Sequence, residues 1–302
     1  MELDSNLVGS GLKDYRKEVS WRETMNYAAA VGDNNPCYFD DERMDGIIAP
    51  PMFCVAVTWP VTEKLEEFLE PGLLPAEISA TKVHYTEHIE FYRPVKPGDI
   101  LAVKGKIAAI LPHRAGTHII IRYDVSDNTG KPVFTEHIGA LLRNVKCTDS
   151  GRGGETLPPV PACGSKGAPV WEATIPVDLM RPFVYDGCTN IFFPIHTSKQ
   201  FAKMVGLPGI ILQGTATLAF AVKELINREA GGDPHCLKIL SCRFTGMVLP
   251  GTDISIKLIE KLNRNNDKDL HFIVINKEGQ KVISNGYAKV SRFLFSEQIP
   301  RF

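Results

Sequence analysis

The chain repeats itself once. Near the N-terminus stands YAAAVGDNNPCYFDDE, Tyr27 to Glu42, and past the middle stands YDGCTNIFFPIHTSKQFA, Tyr185 to Ala202. Each holds a proline followed two residues later by a ring side chain, Pro36 then Tyr38 and Pro194 then His196, at an offset of 158. Further matches follow in the same order. GIIAPP at Gly46 pairs with GIILQG at Gly209, the turn PGD at Pro97 with PGT at Pro250, DNTGKPVF around Gly130 with NKEGQKVI around Gly279, and Arg143 with Arg292. The offsets drift from 163 to 149, as insertions and deletions in loops produce. Self-similarity of this kind requires two copies of one supersecondary plan.

Between the copies runs CTDSGRGGETLPPVPACGSKGAP, rich in Gly, Pro and Ser and without an aromatic residue, which reads as a surface linker. The expected division is 1–147, a linker over 148–167, and 168–302. The length of 302 residues suits two domains, and 44% apolar with 23% charged residues is ordinary globular composition. With 34 basic against 35 acidic residues, no strong field exists to attract nucleic acid or an anionic membrane. Seven cysteines without a C-x-x-C pair read as reduced thiols, which suits the cytoplasm. The N-terminus MELDSNLVGS carries no basic and apolar secretory pattern. The longest apolar run, Gly46 to Val61, is broken by Pro50, Pro51 and Pro60 and falls short of the roughly 20 residues that span a bilayer. It is expected as a core helix.

Each copy has one coarse plan: a short helix, a proline loop, an apolar helix (Met52–Leu69 or Thr215–Arg228), then strands. VHYTEHIEFYRPV alternates around Val83, Tyr85, Ile89 and Phe91, and ILAVKGKIAAI, HIIIRYDVS, LKILSCRFTGMVL, DISIKLIEKL, LHFIVINKEG and KVISNGYAKVSRF are β-branched runs. Turn pairs between them predict an antiparallel meander. The segment TATLAFAVKELI is apolar around most of its circumference, so it must be enclosed on nearly all sides. A curved sheet does this, and two such units side by side cover the edges that one leaves open.

The plan and motifs resemble the hotdog fold, in particular the MaoC-like, (R)-specific enoyl-CoA hydratase family in its double-hotdog form. That family carries a motif near Y-x-x-x-x-G-D-x-N-P-x-H, followed by a helix opening at a His-Gly pair. Here AAAVGDNNPCY matches from Gly32 through Pro36 but ends in Tyr38. NIFFPIH keeps Pro194 and His196 but has Ile191 where the family's Asp stands, and GIILQGTATLA keeps Gly214 behind Gln213. The resemblance covers nearly the whole chain. It implies an α+β class, two tandem hotdog domains as a pseudo-dimer, and reversible hydration of a 2-enoyl-CoA to a 3-hydroxyacyl-CoA, a reaction of fatty acid metabolism.

Such a reaction needs a base to activate water for C3, a proton for C2, and donors for the enolate oxygen. Backbone N–H groups at a helix N-terminus supply the donors, and a histidine beside a fixed loop suits the base. The expected catalytic residues are therefore His196, Gly214 and Asp33. Asn190, Thr197, Gln213, Thr215 and Tyr38 are the expected substrate contacts. Asn190, Asp186 or Thr197, or the facing domain, are the candidates to replace the carboxylate missing at Ile191. In the first copy Pro50 and Pro51 carry no N–H and Tyr38 is a poor base, so that copy reads as degenerate, with Asp33 also readable as a turn cap beside Asn34, Asn35 and Pro36. A site shared between Asp33 and His196 is a further option.

HYTEH, His84 to His88, matches a zinc pattern that needs a helix. Its surroundings alternate as a strand, on which residues four apart lie roughly 13 Å apart, so no metal is expected. No P-loop, dinucleotide fingerprint or G-x-S-x-G occurs, and no cofactor is expected. Arg93, Lys96, Lys104 and Lys106 read as a solvated strand edge, or as contacts for coenzyme A phosphates. The expected partner is an acyl-CoA thioester, with a homodimer of double hotdogs as the larger assembly. A thioesterase and a non-catalytic acyl-thioester-binding protein are the rival readings.

Overall fold

The computed structural model describes residues 1–165 and 167–291. Arg292, the last of the repeat matches, lies outside them, as does the end of KVSRF. The strands of the main sheet are β1 (Tyr15–Glu18), β2 (Lys82–Phe91), β3 (Ile100–His113), β4 (Gly116–Ser126), β5 (Pro132–Arg143), β6 (Trp171–Val177), β7 (Leu237–Phe244), β8 (Thr252–Arg264), β9 (Asp267–Ile275) and β10 (Lys281–Ser291). The principal helices are α1 (Trp21–Ala30), α2 (Phe53–Glu63), α3 (Arg181–Thr189) and α4 (Gly214–Glu229). Residues Glu2–Leu3 and Lys146–Cys147 form a separate parallel pair.

Ten strands form one sheet in the order β1-β3-β4-β5-β2-β7-β10-β9-β8-β6. Each half holds five strands in mirrored succession. The halves join through β2 and β7, antiparallel, with His88 opposite Ser241. That junction consumes the edge each half would otherwise leave open. A simple meander holds only within β3 to β5 and within β8 to β10; β2 and β7 precede them in the chain but pair with β5 and β10 at the centre. The antiparallel sheet with an enclosed helix in each copy is a double hotdog.

The helices are where the sequence puts them because their sides are apolar all round. On α4 the residues Thr215 to Val222, Leu225 and Ile226 are buried, and on α2 so are Phe53 to Val55, Val57, Thr58, Val61 and Thr62. Thr62 meets the Tyr123 hydroxyl of β4 at 3.0 Å, fixing α2 to its sheet. The first apolar helix is shorter than expected. It begins at Phe53, after tight turns in which Phe53 and Cys54 donate to Pro50 and Pro51, and stops at Glu63 before a separate turn at Leu65–Phe68. α1 starts at a capping box, Ser20 with Glu23, and packs against α3. There the repeat closes on itself: the hydroxyls of Tyr27 and Tyr185, 158 residues apart, meet at 2.8 Å in the buried centre.

The internal register is reproduced bond by bond. Ile48 donates to Cys37 and Ile211 to Ile195; Ala49 donates to Val95 and Leu212 to Val248. Gly32 and Asn190, equivalent positions after α1 and α3, both adopt left-handed conformations, φ 60° and 57°. This is the conformation that ends a helix.

The alternation expected in β2 is interrupted. A bulge between His84 and Thr86 pairs His84 with Ala140 and Glu87 with Ile138, both on the helix side. Tyr85 is turned to the opposite face, against His118 and under Arg243. One extra residue shifts the phase of the strand. Glu87 thereby sits fully buried, as does Glu136 on β5. Burial first, and for Glu136 the neighbouring Glu87 carboxyl next, hold both above the ordinary carboxylate value. A carboxyl that is protonated in the fold and ionised in the unfolded chain contributes stability below the unfolded value and loses it as pH rises through the folded one. Glu136→Gln is therefore expected to unfold roughly 2–4 °C higher than wild type at pH 8. Calorimetry at pH 4 should show no such gain.

Candidate active site

His196 ends a 3-10 turn, Pro194–His196, whose proline sits at its first position. The ring is half-buried, and its Nδ1 lies 2.8 Å from the Ile211 carbonyl oxygen. A carbonyl only accepts, so Nδ1 carries the hydrogen and Nε2 keeps its lone pair. Among the described residues Nε2 has no hydrogen-bond partner. Burial pushes the ring's pKa down to about 4, partly offset by the Ile211 carbonyl. The imidazole is thus neutral at physiological pH, with the basic nitrogen unoccupied.

The same bond ties His196 to the segment that opens α4. Gly214 is the first residue of this helix, and the first intrahelical bond runs from Thr217 to the Gln213 carbonyl at 3.2 Å. The N–H groups of Gly214, Thr215 and Ala216 precede it and have no partner within the helix. The Gly214 Cα faces the Phe244 ring; a Cβ there would lie 3.1 Å from Cδ1. Phe244 in turn packs tilted against His84, ring centroids 4.5 Å apart, and His84 Nε2 lies 3.1 Å from Glu87 Oε2.

The other expected residues divide into groups. Gln213 is buried; its Nε2 donates to the Pro182 carbonyl at the start of α3, and its Oε1 is buried with no partner among the described residues. Thr215 is buried beside Tyr185. Thr197 closes the 3-10 turn by donating to Pro194. Asn190 is exposed and caps α3 in its left-handed conformation. Ile191, in place of the family's carboxylate, is buried.

In the first copy Asp33 and Tyr38 are neighbours, and the Asp33 carboxylate is one cause of the raised Tyr38 pKa, after burial. Asp33 accepts from the Asn35 N–H at 3.3 Å as a turn residue, and burial raises its pKa. Both residues face the later part of α4, around Lys223. Lys223 is nine residues from Gly214, roughly 13 Å along a helix, so the structure brings Asp33 to Tyr38 and not to His196. The Tyr38 hydroxyl is buried with no hydrogen-bond partner among the described residues. At the start of α2 lies a cavity of about 220 Å³, walled by Ala49, Pro50, Pro51, Phe91 and Leu237. Arg93, at its edge, is held by Asp99 and Asp127. Lys96 lies there too; Lys104 and Lys106 belong to β3.

Among the described residues no cluster of three or more His, Cys, Asp or Glu side chains is placed to hold a metal, and no helix is long and apolar enough to cross a membrane.

Comparison with known proteins places this geometry. Residues 168–282 match the MaoC like domain, and residues 6–136 match the FAS1-like dehydratase domain region. A Drosophila melanogaster peroxisomal multifunctional enzyme type 2 is 22% identical over 89% of the chain, which spans 45% of that enzyme's length. A probable enoyl-CoA hydratase 2 of Dictyostelium discoideum is 24% identical over 93% of the chain and 94% of its own length. The crystal structure of a MaoC-like dehydratase from Phytophthora capsici superposes with a TM-score of 0.78 at 22% identity, covering 95% of this chain and 97% of that one. The chain thus carries a MaoC like domain over residues 168–282 and a FAS1-like dehydratase domain region over residues 6–136, on one double-hotdog fold.

Proposed function

We propose that this chain adds water reversibly to a 2-enoyl-CoA, giving a 3-hydroxyacyl-CoA, in the second copy, with 1–147 as a supporting domain and 168–302 as the reacting one. The observation that carries the reading is the Ile211 carbonyl on His196 Nδ1, which leaves Nε2 as a base beside the opening turn of α4. Water attacks C3 as its proton passes to Nε2. The C2–C3 electron pair moves onto the thioester oxygen, which the Gly214 N–H and the helix dipole stabilise. The carbonyl re-forms as the imidazolium returns the proton to C2. The name of the Dictyostelium relative, a probable enoyl-CoA hydratase 2, supports a hydratase of enoyl thioesters.

Enoyl-CoA thioesters followed by mass spectrometry test this. Gain of one water is expected. Release of free CoA would favour a thioesterase, and binding without turnover a pseudoenzyme, the reading favoured by Ile191 at the carboxylate position.

A second expected outcome concerns pH. The imidazole is a base only when neutral, and burial holds its pKa near about 4. kcat/KM reports groups of the free enzyme. It should stay level on acidification to about pH 5 and decline near 4, not near the ordinary histidine value of 6.5. A limb at 6 to 7 would contradict a buried base.

A further inference from the structure

The family motif's carboxylate is absent from the second copy, yet the preceding helix α3 carries one, Asp186, at the position equivalent to Ala28. The register between α1–Tyr38 and α3–His196 is 158 without a gap, as the Tyr27–Tyr185 contact, the paired left-handed residues Gly32 and Asn190, and the Ile48 and Ile211 hydrogen bonds require. In the first copy Ala28, Tyr38 and Ile48 pack together as one buried cluster. The equivalent trio is Asp186, His196 and Ile211, and its second and third members touch through Nδ1. The register thus sets Asp186 at the position that Ala28 holds beside Tyr38, on a helix that packs against the Pro194–His196 turn. Its Oδ1 is buried with no hydrogen-bond partner among the described residues. Buried carboxyl oxygens are otherwise almost always paired, and leaving one unpaired is costly.

We propose that Asp186, on α3, is the carboxylate of the second copy's site, and that it holds the attacking water against His196. The inference rests on the hydratase reading above. Asp186 and His196 form no direct ion pair in the described structure, so the pair acts through the water between them. One O–H of the water is accepted by the Asp186 carboxylate and stays with the new C3 hydroxyl. The other proton goes to His196 Nε2 and from there to C2. Water is consumed, one C–O and one C–H bond form, the C2–C3 π bond is lost, and both residues return to their starting state. The carboxylate has moved from the loop at Ile191 to the preceding helix, approaching the same imidazole.

Asp186→Ala reproduces the first copy's own residue at this position, so the fold tolerates it by precedent. We expect kcat for crotonyl-CoA to fall about 10²-fold or more, with KM changed little, and Asp186→Asn to fall similarly. The titration midpoint of the His196 ring, followed by NMR, should move down by roughly half a unit or more in Asp186→Ala, because a negative neighbour is lost. Asp186→Ala within twofold of wild-type kcat, while His196→Ala is inactive, would overturn the inference and leave the hydratase reading standing. Absence of hydration by wild type would overturn the hydratase reading, and the NMR midpoint would still decide the proximity claim: an unmoved midpoint contradicts it.

Discussion

His196→Ala is expected to lower kcat/KM for enoyl-CoA hydration by about 10²–10⁴, the range lost when a positioned acid–base group is removed. The reason is specific to one nitrogen. Nδ1 is occupied by the Ile211 carbonyl, so in the proposed reaction the base is Nε2 alone. Losing the ring also removes the side-chain bond between the 3-10 turn and the segment ahead of α4, but the backbone bond from Ile211 to Ile195 remains. The variant should therefore fold, and circular dichroism with a thermal scan separates lost chemistry from lost structure. His196→Gln keeps a donor toward Ile211 and supplies no basic nitrogen. It should be as inactive as alanine while unfolding closer to wild type.

Gly214→Pro should cost about 10²–10³ in kcat, the loss seen when one oxyanion donor is deleted. Proline is well tolerated at the first position of a helix, where the N–H has no intrahelical partner anyway. The equivalent first-copy position already holds Pro51. What the substitution deletes is the donor that the proposed mechanism assigns to the developing oxygen. The added ring atoms meet Phe244, whose Cδ1 lies 3.1 Å from the Cβ position, so a few tenths of an ångström of movement by that ring is required. Gly214→Ala adds the same contact and keeps the N–H. A large loss with proline and a small one with alanine identifies the amide as the working group, and equal losses would assign the effect to Phe244 packing.

The sequence made much of the fold legible because it states the plan twice. Pro36 and Pro194, Gly46 and Gly209, and the Pro-Gly turns mark equivalent backbone features, and their order alone requires two like units joined edge to edge. The apolar circumference of α4 required a sheet around it. What stayed hidden depended on contacts across the chain. The bulge at His84–Thr86 turns Tyr85 away from the helices and seats Glu87 under them, and alternation read along one strand contains no sign of it. The place of β2 beside β5 and β7 follows from pairing between segments far apart. At the site, Pro194, His196 and Gly214 were visible as a motif. Asp186 was visible only as one of several polar loop candidates, because its neighbour is set by the packing of α3 on the 3-10 turn. Asp33 read as a family residue from the Gly32–Pro36 motif; the structure sets it beside Tyr38, which offers no base.

The most direct test combines one substrate and one residue. Crotonyl-CoA incubated with wild type should gain the mass of one water and lose its conjugated absorbance, and incubated with folded His196→Ala it should do neither. Equal gain of water by both proteins, or release of free CoA by wild type in place of that gain, would contradict the assignment of hydration to the second copy's imidazole.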